Sequence, residues 1–453
     1  MATVTRQNIG LQHDKISVLI TTNDYLPNFD KALKDQSKNA NMPGFRKGMV
    51  PTGLVKKMYG QALFNDIVLK DIEKGLIDYL QSEKLDIFAQ PIASDDNDMS
   101  KIDCNNPADY TFSFEIGLRP TLAVTDLSSA KLTEYKITVT DEMVATEVER
   151  LQQKFGKIVD CDVVDKLNNN LTVTLTESNE NGAVAEDAVE KTNSFVVKYF
   201  TQKYQTELMG KKVNDTVTFA LNQAFNDKEL AFTLQDMKLT EADASKHFVM
   251  KITKINYTEL SAMEEAFYAA AFPNGNVTTE DGVKEALKAE IENYWAVQTK
   301  NKLQDDIYHY LVNNNTVTLP ETFLKKWMQT GREKPSTTEE VELEFPQFAK
   351  SLQWTLISDT LCKEQNIKAD QDDIKDFARK QLMGYMGINE LNETHTWVED
   401  YATKMLSDKK FVEDTYHRVV TEKLFDWAIT KVSTTIQAVS VDEFTAMAKE
   451  NKE

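Results

Sequence analysis

Proline placement constrains this chain more than any other feature. Six of its ten prolines fall from Pro27 to Pro120, none falls from Thr121 to Phe272, and four follow at Pro273, Pro320, Pro335 and Pro346. Proline locks φ and removes a backbone donor, so it opens helices and stiffens loops but interrupts helix interiors and central strands. The chain therefore divides into three regions of different build. That agrees with its 453 residues, at roughly 100–200 residues per domain.

In the first region, Lys15 to Thr21 alternates apolar and polar residues as a half-buried strand does. Pro27 to Ala40 predicts a helix and Asn41 to Val50 a Gly/Pro loop. Pro51 opens a second helix whose stripe takes in Val55, Met58, Phe64, Ile67, Val68, Asp71, Ile72 and Leu76. Tyr110 to Ile116 alternates again as a strand. The second region begins with a helix capped by Thr140 or Asp141. Strands are predicted near 171–176, 194–199, 216–221 and 247–257, rich in β-branched and aromatic residues. The third region carries helical spacing over 281–312, from Pro320, and over 345–365, 371–386, 396–406, 409–432 and 441–449. The expected fold is α+β and multidomain: an α/β layer, then a β-rich domain, then an all-helical domain.

Formal net charge is -20. So acidic a chain repels nucleic acid and anionic membranes in bulk, and an anionic partner requires a local basic patch. No run of about 18 apolar residues suggests a membrane span, so no membrane partner is expected. The opening residues lack a basic segment followed by an apolar one, so no secretory signal is expected. Cys104, Cys161 and Cys362 lie far apart and form no CxxC pair. A reducing, cytoplasmic setting and inert cysteines are expected.

The basic patch is found in one place. From Asn28 to Gly60 seven cationic side chains face two acidic ones. At its centre stands Asn41-Met42-Pro43-Gly44-Phe45-Arg46-Lys47-Gly48-Met49-Val50-Pro51. Gly44 and Gly48 permit a tight excursion. Arg46 and Lys47 offer a planar fork and a point charge, suited to phosphates and carboxylates. Phe45 adds an apolar anchor. This segment closely resembles the ribosome-binding loop of trigger factors, a family of ribosome-associated chaperones. The Lys57-Met58-Tyr59-Gly60 helix and the strand ending Gly117-Leu118-Arg119-Pro120 also look like that family. The resemblance covers about the first 125 residues well, and the rest by the order and length of the regions.

The resemblance implies a ribosome-binding domain at 1–125, a linker and helix at 126–156, an FKBP-like domain at 157–258 and a helical chaperone domain at 259–453. It implies docking on the large ribosomal subunit near the tunnel exit, on protein and rRNA, through Gly44, Phe45, Arg46, Lys47 and Gly48. The function implied is an ATP-independent chaperone for nascent and unfolded polypeptides. An isomerase that retains FKBP-type catalysis and a ribosome-independent holdase are the alternatives. Glu207 to Phe219 and Phe248 to Ile252 look like FKBP segments. The stretch before the Gly-Lys pattern, Phe200 to Thr206, lacks the Ile-Pro-Gly-Phe-type sequence of an active pocket. Phe195, Tyr199, Phe200, Tyr204 and Phe219 could line a groove or fill a core, so weak or absent isomerase activity is expected and no catalytic residue is assigned.

In the family the C-terminal helices form an open cradle, and methionine-rich apolar surfaces accept many sequences. Trp327, Met328, Met383, Met386 and Met405 are the candidates here, with Tyr385 and Trp397 beside them. An unoccupied cradle also makes a homodimer an option. Five scattered histidines, no HExxH, no P-loop and no GxGxxG leave no expected metal, ATP or other cofactor.

Overall fold

The computed structural model describes residues 2–40, 45, 48–184, 190–273, 275, 277–331, 334–386 and 395–450, with side chains to 447. It forms two compact units. One contains Met1–Thr133 and Lys302–Thr435, the other Glu134–Asn301 and Ile436–Glu453.

The first unit opens with β1 (Thr3–Gly10), β2 (His13–Ile20), α1 (Thr22–Asn39), α2 (Thr52–Ser82), β3 (Ile92–Ala93) and β4 (Tyr110–Gly117). The strands form an antiparallel sheet in the order β1-β2-β4-β3. Strand side chains alternate between faces. One face presents Ile16, Val18, Ile20, Phe112 and Ile116 to a core shared with Tyr25, Phe29 and Leu33 of α1 and Val55, Phe64, Val68, Ile72 and Leu76 of α2. The other face is polar: Ser17 meets Ser113 at 2.9 Å, and Lys15 reaches Asp96. Met58 departs from the expected α2 stripe and is exposed, because Gly60 takes the inward place on that turn.

The second unit holds β5 (Lys131–Ile137, from its fourth residue), α3 (Asp141–Lys154), β6 (Lys157–Cys161), β7 (Asn170–Ser178), β8 (Glu190–Val196), α4 (Gln202–Leu208), β9 (Thr216–Ala220), α5 (Leu221–Ala224), α6 (Asp227–Asp236), β10 (His247–Glu259) and α7 (Glu265–Ala271). The Thr140 side chain caps α3, accepting from the Met143 amide at 3.3 Å. β10 is the spine of a five-stranded antiparallel sheet, paired with β6, β7 and β9. Leu171, Val173 and Leu175 of β7 and Met250, Ile252 and Ile255 of β10 build its core with Tyr204 and Leu208 of α4.

The C-terminal region contains α8 (Glu280–Asn314), α9 (Glu321–Thr330), α10 (Thr338–Glu364), α11 (Gln371–Met386), α12 (Thr396–Met405), α13 (Lys409–Ile429), β11 (Ser433–Val439) and α14 (Val441–Glu450). Val283 and Leu287 of α8 pack with Val144, Val148 and Leu151 of α3 and Phe267 of α7 in the second unit. Leu303, Ile307 and Leu311 of α8 pack with Ile357 and Leu361 of α10 and Leu424 and Ala428 of α13 in the first. Each buried Val, Leu, Ile or Phe side chain among these contributes roughly 1.5–3 kcal/mol over exposure. Among the described residues, the expected all-helical build is interrupted by β11, which pairs with β5.

Candidate docking loop and apolar surfaces

The expected docking loop leaves the core and re-enters it within ten residues. Ala40, just past the end of α1, is buried, and its amide donates to the Gln36 carbonyl at 2.8 Å. Val50 is buried in the same cluster. The Ser37 hydroxyl, itself buried, donates to the Val50 carbonyl. Pro51 then caps α2, and Leu54 and Val55 donate back to its carbonyl at 3.0 and 3.2 Å.

Between these stems, Gly48 adopts φ +86°, a left-handed conformation that side-chain-bearing residues resist. Phe45 is 41% exposed and Met49 72% exposed. Gly44, Arg46 and Lys47 lie outside the described residues. Around the base, Lys31, Lys34, Lys38 and Lys57 are exposed. The first turn of α2 carries no acidic residue, so nothing there offsets the positive end of its dipole. An apolar anchor beside an electropositive helix end suits a partner with both a hydrophobic crevice and anionic groups.

The aromatic residues of the middle domain form a packed core. Phe195, Phe200, Tyr204, Phe219 and Phe225 are all buried. Their rings meet at centroid distances from 4.6 Å (Phe200–Phe225) to 6.2 Å (Phe219–Phe225). Tyr199 points outward. The five buried rings pack against one another inside the middle-domain core.

The five candidate substrate contacts separate. Met328 is 0% exposed, in a cluster with Phe323, Leu324, Val341 and Phe345, so its place on α9 faces the interior and it is no surface contact. Trp327 is partly buried and stacks on Phe348 at 6.2 Å. Met383 and Met405 are half-buried. Met386, at the end of α11, is exposed. Tyr385, beside it, is 88% exposed, and Trp397 and Tyr401 on α12 are exposed as well. Salt bridges of Lys375 and Arg379 to Glu399 hold α11 and α12 together. Sequence reasoning missed Ser37 and Tyr401. Ser37 had a legible signal, a hydroxyl on the four-residue stripe Tyr25, Phe29, Leu33, next to the loop.

The comparisons with known proteins span most of the chain. The family model described as "Bacterial trigger factor protein (TF)" matches residues 2–151. "Probable trigger factor, FKBP-like domain" matches 158–260, and "Probable trigger factor, C-terminal domain" matches 299–448. The chain is 23% identical over 452 residues to "Trigger factor" of Chlorobaculum parvum, spanning 96% of this chain and 98% of that protein. It is 21% identical over 446 residues to "Trigger factor" of Salinibacter ruber, spanning 94% and 92%. A solved structure reported as "Promiscuous Substrate Recognition in Folding and Assembly Activities of the Trigger Factor Chaperone" shares the fold at 15% identity and a TM-score of 0.50, over 95% of this chain and 99% of that one. With its N-terminal, FKBP-like and C-terminal domains all matched in order, the chain belongs to the trigger factor family.

Proposed function

We propose that this chain is an ATP-independent chaperone of the cytoplasm that docks on the ribosome and shelters nascent polypeptides. Docking runs through Gly44, Phe45, Arg46, Lys47 and Gly48, on protein and rRNA of the large subunit near the tunnel exit. The observation that carries this reading is Phe45. A large apolar side chain stands half-exposed on a loop whose two ends, Ala40 and Val50, are anchored in the core. Exposing such a ring costs hydrophobic free energy that a partner's pocket would return. The surrounding lysines, on a chain of net charge -20, direct an anionic partner to this face.

Unfolded segments are received by side chains such as Tyr385, Met386, Trp397 and Tyr401, apolar and adaptable rather than arranged as one pocket. Prolyl isomerisation is at most weak. Its barrier is about 18–20 kcal/mol, and lowering it requires a site that fits the twisted amide better than the planar one. The close-packed Phe195, Phe200, Phe219 and Phe225 support this reading.

The test is co-sedimentation with purified ribosomes at two salt concentrations. The variant with Phe45, Arg46 and Lys47 all changed to Ala should remain in the supernatant while its circular dichroism matches the parent. Undiminished pelleting by that variant would refute the docking site.

A further inference from the structure

We propose that Ser37 is a positioning residue for the docking loop, a buried clasp that holds its neck in the binding-competent shape. The inference rests on the docking reading above and names a residue that would not itself touch the ribosome. Tyr25, Phe29, Leu33 and Ser37 follow at four-residue steps on α1, and all four are buried. The first three are core side chains. The fourth places a hydroxyl on the same stripe, one turn before the loop begins. That hydroxyl reaches out of α1 to the carbonyl of Val50, thirteen residues ahead. Val50 is buried too and immediately precedes the Pro51 cap of α2. One hydrogen bond therefore ties the last turn of α1 to the residue before α2, across the base of the loop.

Gly48 completes the neck. Its backbone lies against α1: a side chain there would stand 3.7 Å from the Lys38 carbonyl, in the left-handed conformation already described. The chain thus returns onto α1 before entering the core at Val50. Without the clasp, the neck from Gly48 to Val50 loses its tie to α1. If only a fraction of molecules hold the competent shape, the apparent Kd rises by the inverse of that fraction. The cations are untouched, so the number of phosphate contacts, and with it the slope of log affinity against log salt, stays the same.

The experiment measures binding of the full chain to purified ribosomes across several KCl concentrations. It compares the parent, Ser37→Ala, Ser37→Thr and the Phe45/Arg46/Lys47 triple-Ala variant. Ser37→Ala should weaken binding roughly three- to ten-fold at an unchanged salt slope. Ser37→Thr, which keeps the hydroxyl, should restore it. If the triple variant binds like the parent, the docking reading itself fails. If the triple variant loses binding and Ser37→Ala binds like the parent, the clasp is overturned and docking stands. Should Ser37→Ala unfold, as its urea midpoint would show, Ser37→Cys decides instead, being close in size but a weak donor. It should weaken binding at an unchanged salt slope, and parent-like binding would overturn the proposal.

Discussion

The Phe323 ring fills the space beside Gly117: a Cβ on that glycine would stand 2.3 Å from Phe323 Cδ1. Gly117 ends β4, and Phe323 is fully buried on α9. The ring also meets His13 of β2 edge-on at 5.6 Å. α9 is thus seated on the sheet through a notch that any side chain at 117 would close. Gly117→Ala should destabilise the first unit by about 1–3 kcal/mol through overpacking. Phe323→Ala should cost about 3–5 kcal/mol. Because the two share one contact, the double variant should be less destabilised than the sum. Urea midpoints of the four proteins check this, and strict additivity would contradict the notch.

Lys326, one turn on from Phe323, supplies the charged half of the same seat. Its ammonium lies 2.9 Å from Glu115 and 2.8 Å from Asp95, while His13 meets the other oxygen of Glu115 at 2.9 Å. Burial pulls the lysine pKa down, but the hydrogen bonds to Asp95 and Glu115 outweigh it and hold the pKa above the ordinary 10.5. A cation whose pKa is raised by folding stabilises the fold fully below its unfolded value, and that contribution is lost as pH rises through the folded value. Stability should therefore fall above about pH 10.5 in the parent, and this component should vanish in Lys326→Met. At neutral pH the variant should lose about 1–3 kcal/mol, since Glu115 keeps fewer partners. Urea titrations from pH 8 to 11 measure both effects.

Met328 and Tyr385 should behave as opposites. Met328→Ala opens a cavity in a closed cluster and should cost about 2–5 kcal/mol. Tyr385→Ala and Trp397→Ala touch exposed side chains and should change stability by less than about 0.5 kcal/mol. The latter pair, combined, should instead weaken suppression of aggregation of an unfolded client. A light-scattering assay with urea unfolding separates the two classes.

A proline-peptide assay should find little or no turnover above the uncatalysed rate. Phe219→Ala, which leaves a hole among buried rings, should unfold the middle domain more readily, by about 3–5 kcal/mol, without creating activity. Robust turnover by the parent chain would contradict the reading of those rings as a filled core.

Much of the local structure was legible without coordinates. Thr140 marked the start of α3, and α11 begins and ends where its spacing indicates, at Gln371 and Met386. β2, β4, β7 and β10 stood out as alternating or β-branched runs. α10 begins seven residues before the expected Phe345, at Thr338, with Pro346 inside it. There Thr337 and Glu340 form a reciprocal cap, a pairing present in the sequence and stronger than the proline signal. Several elements were not read from the sequence, among them β1 and β11. β1 is largely exposed and held by pairing with β2, and β11 is exposed except at Val439 and pairs with a strand about 300 residues earlier.

Residue order determined the periods, the caps and the loop's chemistry, because those depend on neighbours within one or two turns. It also carried Gly44 to Gly48 as a cationic, phenylalanine-tipped segment. Only the tertiary structure decided that Met328 faces inward and Met386 outward, that Phe45 is half-exposed, and that Ser37 reaches Val50. The reason is physical. A helical stripe reports which side of a helix is apolar, but what covers that side is supplied by residues distant in the chain, and their arrival depends on the whole fold.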